Sequence, residues 1–343
     1  RTTPELLWGS RERLAHFLGG DPRRLVFTSN VSTSINIIAA SLELSSPGEI
    51  LMTDHEYGSM QWCWERHAAR QGLTVRTFAL PRNPRHPGEI VDAAIAAFRP
   101  DTRMLFFSHV LSPTGMVLPA AELCAEARRR GILSVVDAAH APGFLPIRMD
   151  SIGADFFAGN CHKWVLAPIG CGFLYLGTGM EDRLQPLQVS WGWKNLSKVS
   201  ADERDEFGST PRIRRLEFEG TRDCCLWLVV PDAIAFQEAL GWEKIWARQR
   251  QLAAHVRERI TCIPLATPPE ASLSGAMTAF ELPPEVVPDR LREALWNARI
   301  EALVAERAER NLFRVSTHVY NTEAEVDRLA DLLPGMLAKS RRA

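Results

Sequence analysis

Between residues 6 and 180, short apolar runs alternate with stretches whose apolar positions recur every three or four residues. The first pattern marks buried strands, the second amphipathic helices. The spacing predicts helices over 6–17, 32–42, 58–70, 89–98 and 120–130, and strands over 24–28, 49–53, 74–79, 103–108, 132–137, 154–158 and 172–176. Gly19-Gly20, Gly72 and the turn Ser45-Ser46-Pro47-Gly48 punctuate them. Such alternation predicts an α/β fold, a mostly parallel seven-stranded sheet covered by helices on both faces. Ligand-binding residues are then expected at the carboxyl ends of the strands.

Beyond residue 180 the pattern changes. Residues 185–210 are polar with interleaved Trp and read as loop with short elements. Helices are predicted over 221–240, interrupted at Pro231, and over 243–260 and 323–339, with strands over 276–282, 300–304 and 313–317. This reads as a smaller α+β domain. The division expected is a large domain over 20–220 and a small one over 221–343 that also takes the N-terminal helix, 1–19.

Composition narrows the function classes. The 343 residues are 46% hydrophobic, enough for a large core and more than one domain. Forty basic residues face 41 acidic ones, so no charge excess points to nucleic acid or to a membrane surface. No apolar run reaches the about 18 residues of a membrane span. The seven Cys are scattered without Cys-x-x-Cys or Cys/His ligand spacing, so no metal site is expected, and free thiols fit a reducing cytoplasm. The chain opens at Arg1 without Met, and a preceding segment is expected.

The chemistry is carried at strand ends. Asp137 closes the run Ile-Leu-Ser-Val-Val-Asp, and Lys163 follows in Ala-Gly-Asn-Cys-His-Lys-Trp. A strand-end Asp and a Lys in a loop of small residues are what pyridoxal phosphate chemistry needs. The amine forms a Schiff base with the cofactor aldehyde, and the carboxylate keeps the pyridine nitrogen protonated. Apolar neighbours such as Trp164 favour the uncharged amine. Ser29-Asn30-Val31-Ser32-Thr33 enters a helix, where hydroxyls and free N–H groups make either a phosphate site or an ordinary cap. His55 and Tyr57 follow another strand, as ring-stacking groups, proton donors or interfacial aromatics. Ser112, in Ser-Pro-Thr-Gly, reaches a ring hydroxyl or sits in a plain turn. His140 is a ligand to the phenolic oxygen or a satisfied core His. Asn160 and His162 share the Lys163 loop. Thr221, in Glu-Gly-Thr-Arg-Asp, is a candidate phosphate ligand. Arg314 lies in an apolar strand and needs a partner, either a substrate carboxylate or a structural Glu.

In this order the motifs Val-Asp-Ala-Ala-His-Ala-Pro-Gly, Gly-Asn-Cys-His-Lys-Trp, Phe-Glu-Gly-Thr-Arg-Asp and Arg-Val-Ser-Thr-His-Val-Tyr-Asn-Thr resemble the class V aminotransferase family, over roughly residues 10–335. The chain looks most like its isopenicillin N epimerase-like branch, which also holds C–S lyases. The resemblance implies a fold-type I enzyme with Lys163 as Schiff-base residue and Cα base, and Asp137 at the pyridine nitrogen. It puts Ser32, Thr33, Asn160 and His162 on the phosphate, His55 (with Tyr57 nearby) against the ring, and His140 where relatives place a Gln. Arg314 would take the substrate α-carboxylate, and Thr221 would reach the active site of the neighbouring subunit in a homodimer. Family members carry a further N-terminal segment that closes over the substrate. Cysteine desulfurases carry a loop Cys shortly before the Arg314 position. Residues 300–312 contain none, which disfavours a persulfide mechanism there.

Removal of the Cα proton is common to epimerisation, transamination and β-elimination, and the sequence leaves the outcome open. The leading expectation is epimerase- or aminotransferase-type chemistry on a small amino acid or peptide-like substrate. C–S lyase or desulfurase-like β-elimination is the alternative. A nucleotide-binding oxidoreductase would need a Gly-rich first turn, which residues 29–33 lack. A cofactor-free scaffold is at odds with Lys163, Asp137 and Arg314 together.

Overall fold

The computed structural model describes residues 2–342. Contacts divide the chain into two units, one formed by residues 1–80, 91–110 and 119–239, the other by 81–90, 111–118 and 240–343.

The first unit is built on a seven-stranded sheet. In chain order its elements are α1 (Thr3–Leu18), β1 (Leu25–Thr28), α2 (Val31–Ser41), β2 (Glu49–Thr53), α3 (Gly58–Gln71), β3 (Thr74–Phe78) and, from residue 91 on, α4 (Pro87–Ala97). They continue with β4 (Thr102–Ser108), α5 (Ala120–Arg129), β5 (Leu133–Ala138), α6 (Met149–Ile152), β6 (Phe156–Asn160), β7 (Gly172–Leu176), α7 (Pro211–Glu217), α8 (Cys225–Leu228) and α9 (Val230–Leu240). The strand order is β1-β7-β6-β5-β4-β2-β3. From β6 to β3 all pairs are parallel, and β7 is antiparallel to both β6 and β1. β1, β2, β6 and β7 are buried at every position, as strands covered on both faces must be.

The register decides what the strand ends present. Ser108 on β4 pairs with Asp137 on β5, Asp137 with Ala158 on β6, and Asn160 with Gly172 on β7. Strands that leave the core side by side thus deliver a hydroxyl, a carboxyl and an amide to one edge of the sheet.

The second unit holds α10 (Trp242–Arg259), β8 (Met277–Glu281), α11 (Pro288–Asn297), β9 (Leu303–Ala305), β10 (Leu312–Ser316) and α12 (Glu323–Lys339). Its antiparallel sheet has the order β8-β10-β9. A capping box starts α12, with Thr322 bonding the Glu325 N–H and Glu325 returning to the Thr322 N–H.

Several expectations are corrected. α11 went unrecognised, because its apolar face is reduced to Leu291 and Leu295. α7 falls within or beside the expected loop and turn, and the helix expected from 221 begins only at Cys225. The contacts also cut the chain differently from a boundary at 220–221 and group α1 with the large sheet. Arg11 on α1 explains the grouping. Its fully buried guanidinium pairs with Glu217 on α7, both nitrogens at 3.0 Å, and lies 4.5 Å from the Phe27 ring on β1. Glu217 also accepts the Phe27 N–H at 2.7 Å.

Removing one partner of a buried ion pair strands the other charge. Arg11→Met or Glu217→Gln alone is therefore expected to cost about 3–5 kcal/mol in denaturant unfolding, and the double variant to recover part of it. Single variants as stable as the wild type would show the pair to be dispensable.

Candidate active site

The first unit's site is made by two loops that leave the sheet edge side by side. One follows β5, on which Asp137 is the last residue but one, and carries His140 and Gly143, and the other follows β6 and carries Cys161, His162, Lys163 and Trp164. Asp137 is buried and its Oδ1 accepts the Ala139 N–H at 2.9 Å. Burial raises its pKa, while the Ala139 bond and the charge of Lys163 pull it back.

Lys163 is half-buried and its Nζ lies 3.1 Å from His140 Nε2. The Trp164 indole N–H points to His140 Nδ1 at 3.3 Å. His162 places Nδ1 at 2.9 Å from the Cys171 carbonyl, which can only accept, so Nδ1 carries hydrogen. Its pKa is lowered, first by burial and then by Lys163, with the Cys171 bond opposing both. A phosphate contact from Nε2 would need the second proton that burial resists.

Helix α2 starts beside this loop. Asn30 caps it by accepting the Thr33 N–H at 2.9 Å, and Asn160 Oδ1 accepts the Val31 N–H at 3.0 Å. Gly172 makes the approach possible, since a Cβ there would sit 2.6 Å from the Asn30 backbone. Ser32 is exposed in the first turn, where helical N–H groups have no intrahelical acceptor, and Thr33 is half-buried beside Ser29, hydroxyls 3.2 Å apart. Sequence reasoning gave Asn160 a phosphate contact; its Oδ1 tethers the helix end, which leaves its amide N–H donors for that role.

At the end of β2, His55 is buried and its Nδ1 lies 2.7 Å from Asp54 Oδ1, while Tyr57 is exposed. Between them lies a residue the sequence reading passed over. The Glu56 carboxyl is buried and receives Thr53 Oγ1 at 2.5 Å, Ser108 Oγ at 2.5 Å and the Ser108 N–H at 3.1 Å. Burial pushes its pKa up to about 7; the Ser108 and Thr53 bonds lower it, and the negative charge of Asp137 raises it. His109 is also buried, with Nδ1 lacking a hydrogen-bond partner among the described residues, and burial lowers its pKa to about 4. The signal for Glu56 was a charged residue directly after a strand end, which is also what a solvated turn looks like.

Thr221 is exposed on a loop bordering a cavity of about 560 Å³ that Trp191, Phe218 and Trp227 also line. In the second unit, Arg314 on β10 donates to the Ser112 carbonyl and lies 3.2 Å from its hydroxyl. Its Nε is buried without a hydrogen-bond partner among the described residues, and burial lowers its pKa to about 10. Ser112 is therefore held by Arg314, a pairing that sequence distance hid.

The aminotransferase class-V family profile matches residues 2–329. The chain is 52% identical over 341 residues to an isopenicillin N epimerase of Streptomyces clavuligerus, covering 98% of this chain and 86% of that protein. It is 52% identical over 340 residues to the isopenicillin N epimerase of Amycolatopsis lactamdurans, covering 97% and 85%. Among solved structures, a cystine C–S lyase in complex with cysteine persulfide superposes with a TM-score of 0.81 at 24% identity, covering 96% of this chain and 86% of that one. A cysteine desulfurase of Thermococcus onnurineus gives 0.82 at 22% identity, over 97% and 84%. At such identities the two structures establish the fold, which is fold-type I.

The raised Glu56 carboxyl predicts a pH signature. Its folded-state pKa of about 7 lies above the 4.5 of the free group, so folding takes up a proton between those values. Its stabilising contribution is complete below pH 4.5 and falls by about 3 kcal/mol as pH rises to 7. Asp137, also raised, adds in the same direction. Denaturant unfolding of Glu56→Gln against wild type across this range is expected to show a flatter pH dependence, and parallel curves would exclude this role.

Proposed function

Because the chain belongs to the class V aminotransferase family, we propose that it is a pyridoxal 5'-phosphate-dependent epimerase. It would invert a Cα centre in an amino acid or peptide-like substrate of the isopenicillin N kind. The observation that carries this reading is the 52% identity over 98% of the chain to an enzyme of that name. When bound, the cofactor supplies an aldehyde for a lysine and an electron-poor ring that accepts the electrons left by Cα–H cleavage.

The residues fit this cofactor. A primary amine faces an imidazole, and a buried carboxyl calls for a cationic partner such as a protonated pyridine nitrogen. The open end of a helix suits a phosphate. In this reading Lys163 Nζ takes and returns the Cα proton on one face. Asp137 holds the pyridine N–H. Ser32, Thr33, Asn160 and His162 surround the phosphate, and His140 and Ser112 attend the ring hydroxyl.

Inversion needs a proton donor on the opposite face. His55, with its Nδ1 held by Asp54, and Tyr57 are proposed for the ring face and this donor. Arg314 is proposed to bind the substrate α-carboxylate, since its buried Nε lacks an acceptor among the described residues. A homodimer is also proposed, with Thr221 serving the neighbouring subunit. The exposed Trp191, Phe207 and Phe218 beside it are in keeping with a covered surface. No helix among the described residues is long and apolar enough to cross a membrane. The proposed location is the cytoplasm, consistent with seven free thiols.

Incubation with penicillin-precursor peptides and with β-substituted amino acids in deuterated water tests the reaction. Recovery of the substrate with Cα deuterium and mixed chirality is expected. Release of pyruvate with a sulfur product would instead identify a C–S lyase, and a keto acid an aminotransferase. Lys163→Ala is expected to lose the cofactor's borohydride-sensitive absorbance and at least about a thousandfold in turnover. Arg314→Gln is expected to raise KM about 10- to 100-fold with a smaller change in kcat, and the opposite split would remove the carboxylate assignment.

A further inference from the structure

We propose that Trp164 is a positioning residue that keeps Lys163 in its uncharged amine form by fixing which nitrogen of His140 carries the hydrogen. The proposal deepens the reading of Lys163 as nucleophile and base and rests on it. An indole has a donor and no acceptor. Trp164 Nε1 lies 3.3 Å from His140 Nδ1, so Nδ1 must offer a lone pair. A neutral imidazole with a bare Nδ1 keeps its hydrogen on Nε2. Nε2 lies 3.1 Å from Lys163 Nζ. Two N–H groups cannot share that contact, so His140 donates and the lysine nitrogen accepts with its lone pair. An amine has such a lone pair and an ammonium does not.

Two charged groups near Lys163, Asp137 and His162, divide between the two forms. Asp137 favours the ammonium, but its own charge is opposed by burial. Charge on His162 and on Lys163 disfavours one another, and burial already keeps His162 towards neutrality. Turning His140 over would remove a contact that distinguishes amine from ammonium by hydrogen-bond direction.

The surroundings hold Trp164 in the required pose. Its ring meets Phe144 edge-on, with centroids 4.8 Å apart. Gln237 is fully buried and its Nε2 bonds the carbonyls of Trp164 at 3.2 Å and Val165 at 2.7 Å. Gly143 has φ of +81°, and a Cβ there would lie 2.6 Å from the Trp164 carbonyl. The two loops therefore interlock, and the link from Trp164 through His140 to Lys163 closes them. Phenylalanine at 164 would keep an aromatic ring beside Phe144, at the cost of some ring volume, and delete the donor.

Two measurements on the apoprotein test this without turnover. Nitrogen-15 histidine NMR of the wild type, with His140 assigned through His140→Gln, is expected to show His140 neutral and protonated on Nε2 at pH 7. In Trp164→Phe the signal is expected to move towards the other tautomer or the cation. The rate at which Lys163 condenses with pyridoxal phosphate, trapped by borohydride across pH 6–9, is expected to fall about tenfold at pH 7 in Trp164→Phe and to recover at high pH, the scale of one hydrogen bond. A wild-type His140 protonated on Nδ1, or doubly protonated, overturns the proposal even if the variant does not fold. So does a Trp164→Phe pH profile that overlays the wild type. Failure of the epimerase reading would appear only in the deuterium experiment and leave the tautomer result standing.

Discussion

Asp137 lies one residue from the end of a strand buried among others, and a charge held there costs several kcal/mol unless something of opposite sign stands near. Much of the first unit can be understood from that constraint. The parallel register sets Asp137 abreast of Ser108 and Ala158, so its neighbours are strand ends rather than water. The charge of Lys163 acts on it, and Lys163 reaches this edge because β6, which it follows by three residues, runs parallel to β5. A second buried carboxyl, Glu56, adds its own negative charge and is held by hydroxyls and an amide instead of a cation. Two acids in one buried region cannot both ionise cheaply, and burial lifts the pKa of both.

The loops following β5 and β6 carry chemistry because they lock each other. Small residues permit close backbone approach at Gly143 and Gly172, one against Trp164 and the other against Asn30. Trp164 then fills the space and orients His140, while Asn160 ties the start of α2 to the end of β6. Polar groups used for positioning are thereby satisfied within the fold. Loops held this way keep reacting groups at fixed distances, the condition on which proton transfer depends.

Much of this was legible in the chain. Short apolar runs and period-3.6 patterns gave β7 and α12 to the residue and most other elements of the large sheet within a residue or two. α11 was missed because two buried leucines are too few to mark a face, and α7 because its buried side includes Arg214 and Glu217. The same limit hid Glu56. Its sequence surroundings are those of a surface turn, and only burial beside Ser108 and Asp137 gives its carboxyl a raised pKa.

The sequence by itself determined the alternation of elements, the family and the cofactor, because these are written in local periodicity and in short motifs whose order survives translation into any coordinates. The tertiary structure alone decided which nitrogen faces Lys163, that Asn160 spends an oxygen on α2, and that Arg314 holds Ser112. Those facts depend on strand register and on distances of about 3 Å between residues far apart in the chain, a scale at which hydrogen-bond direction is set and which no residue pattern specifies.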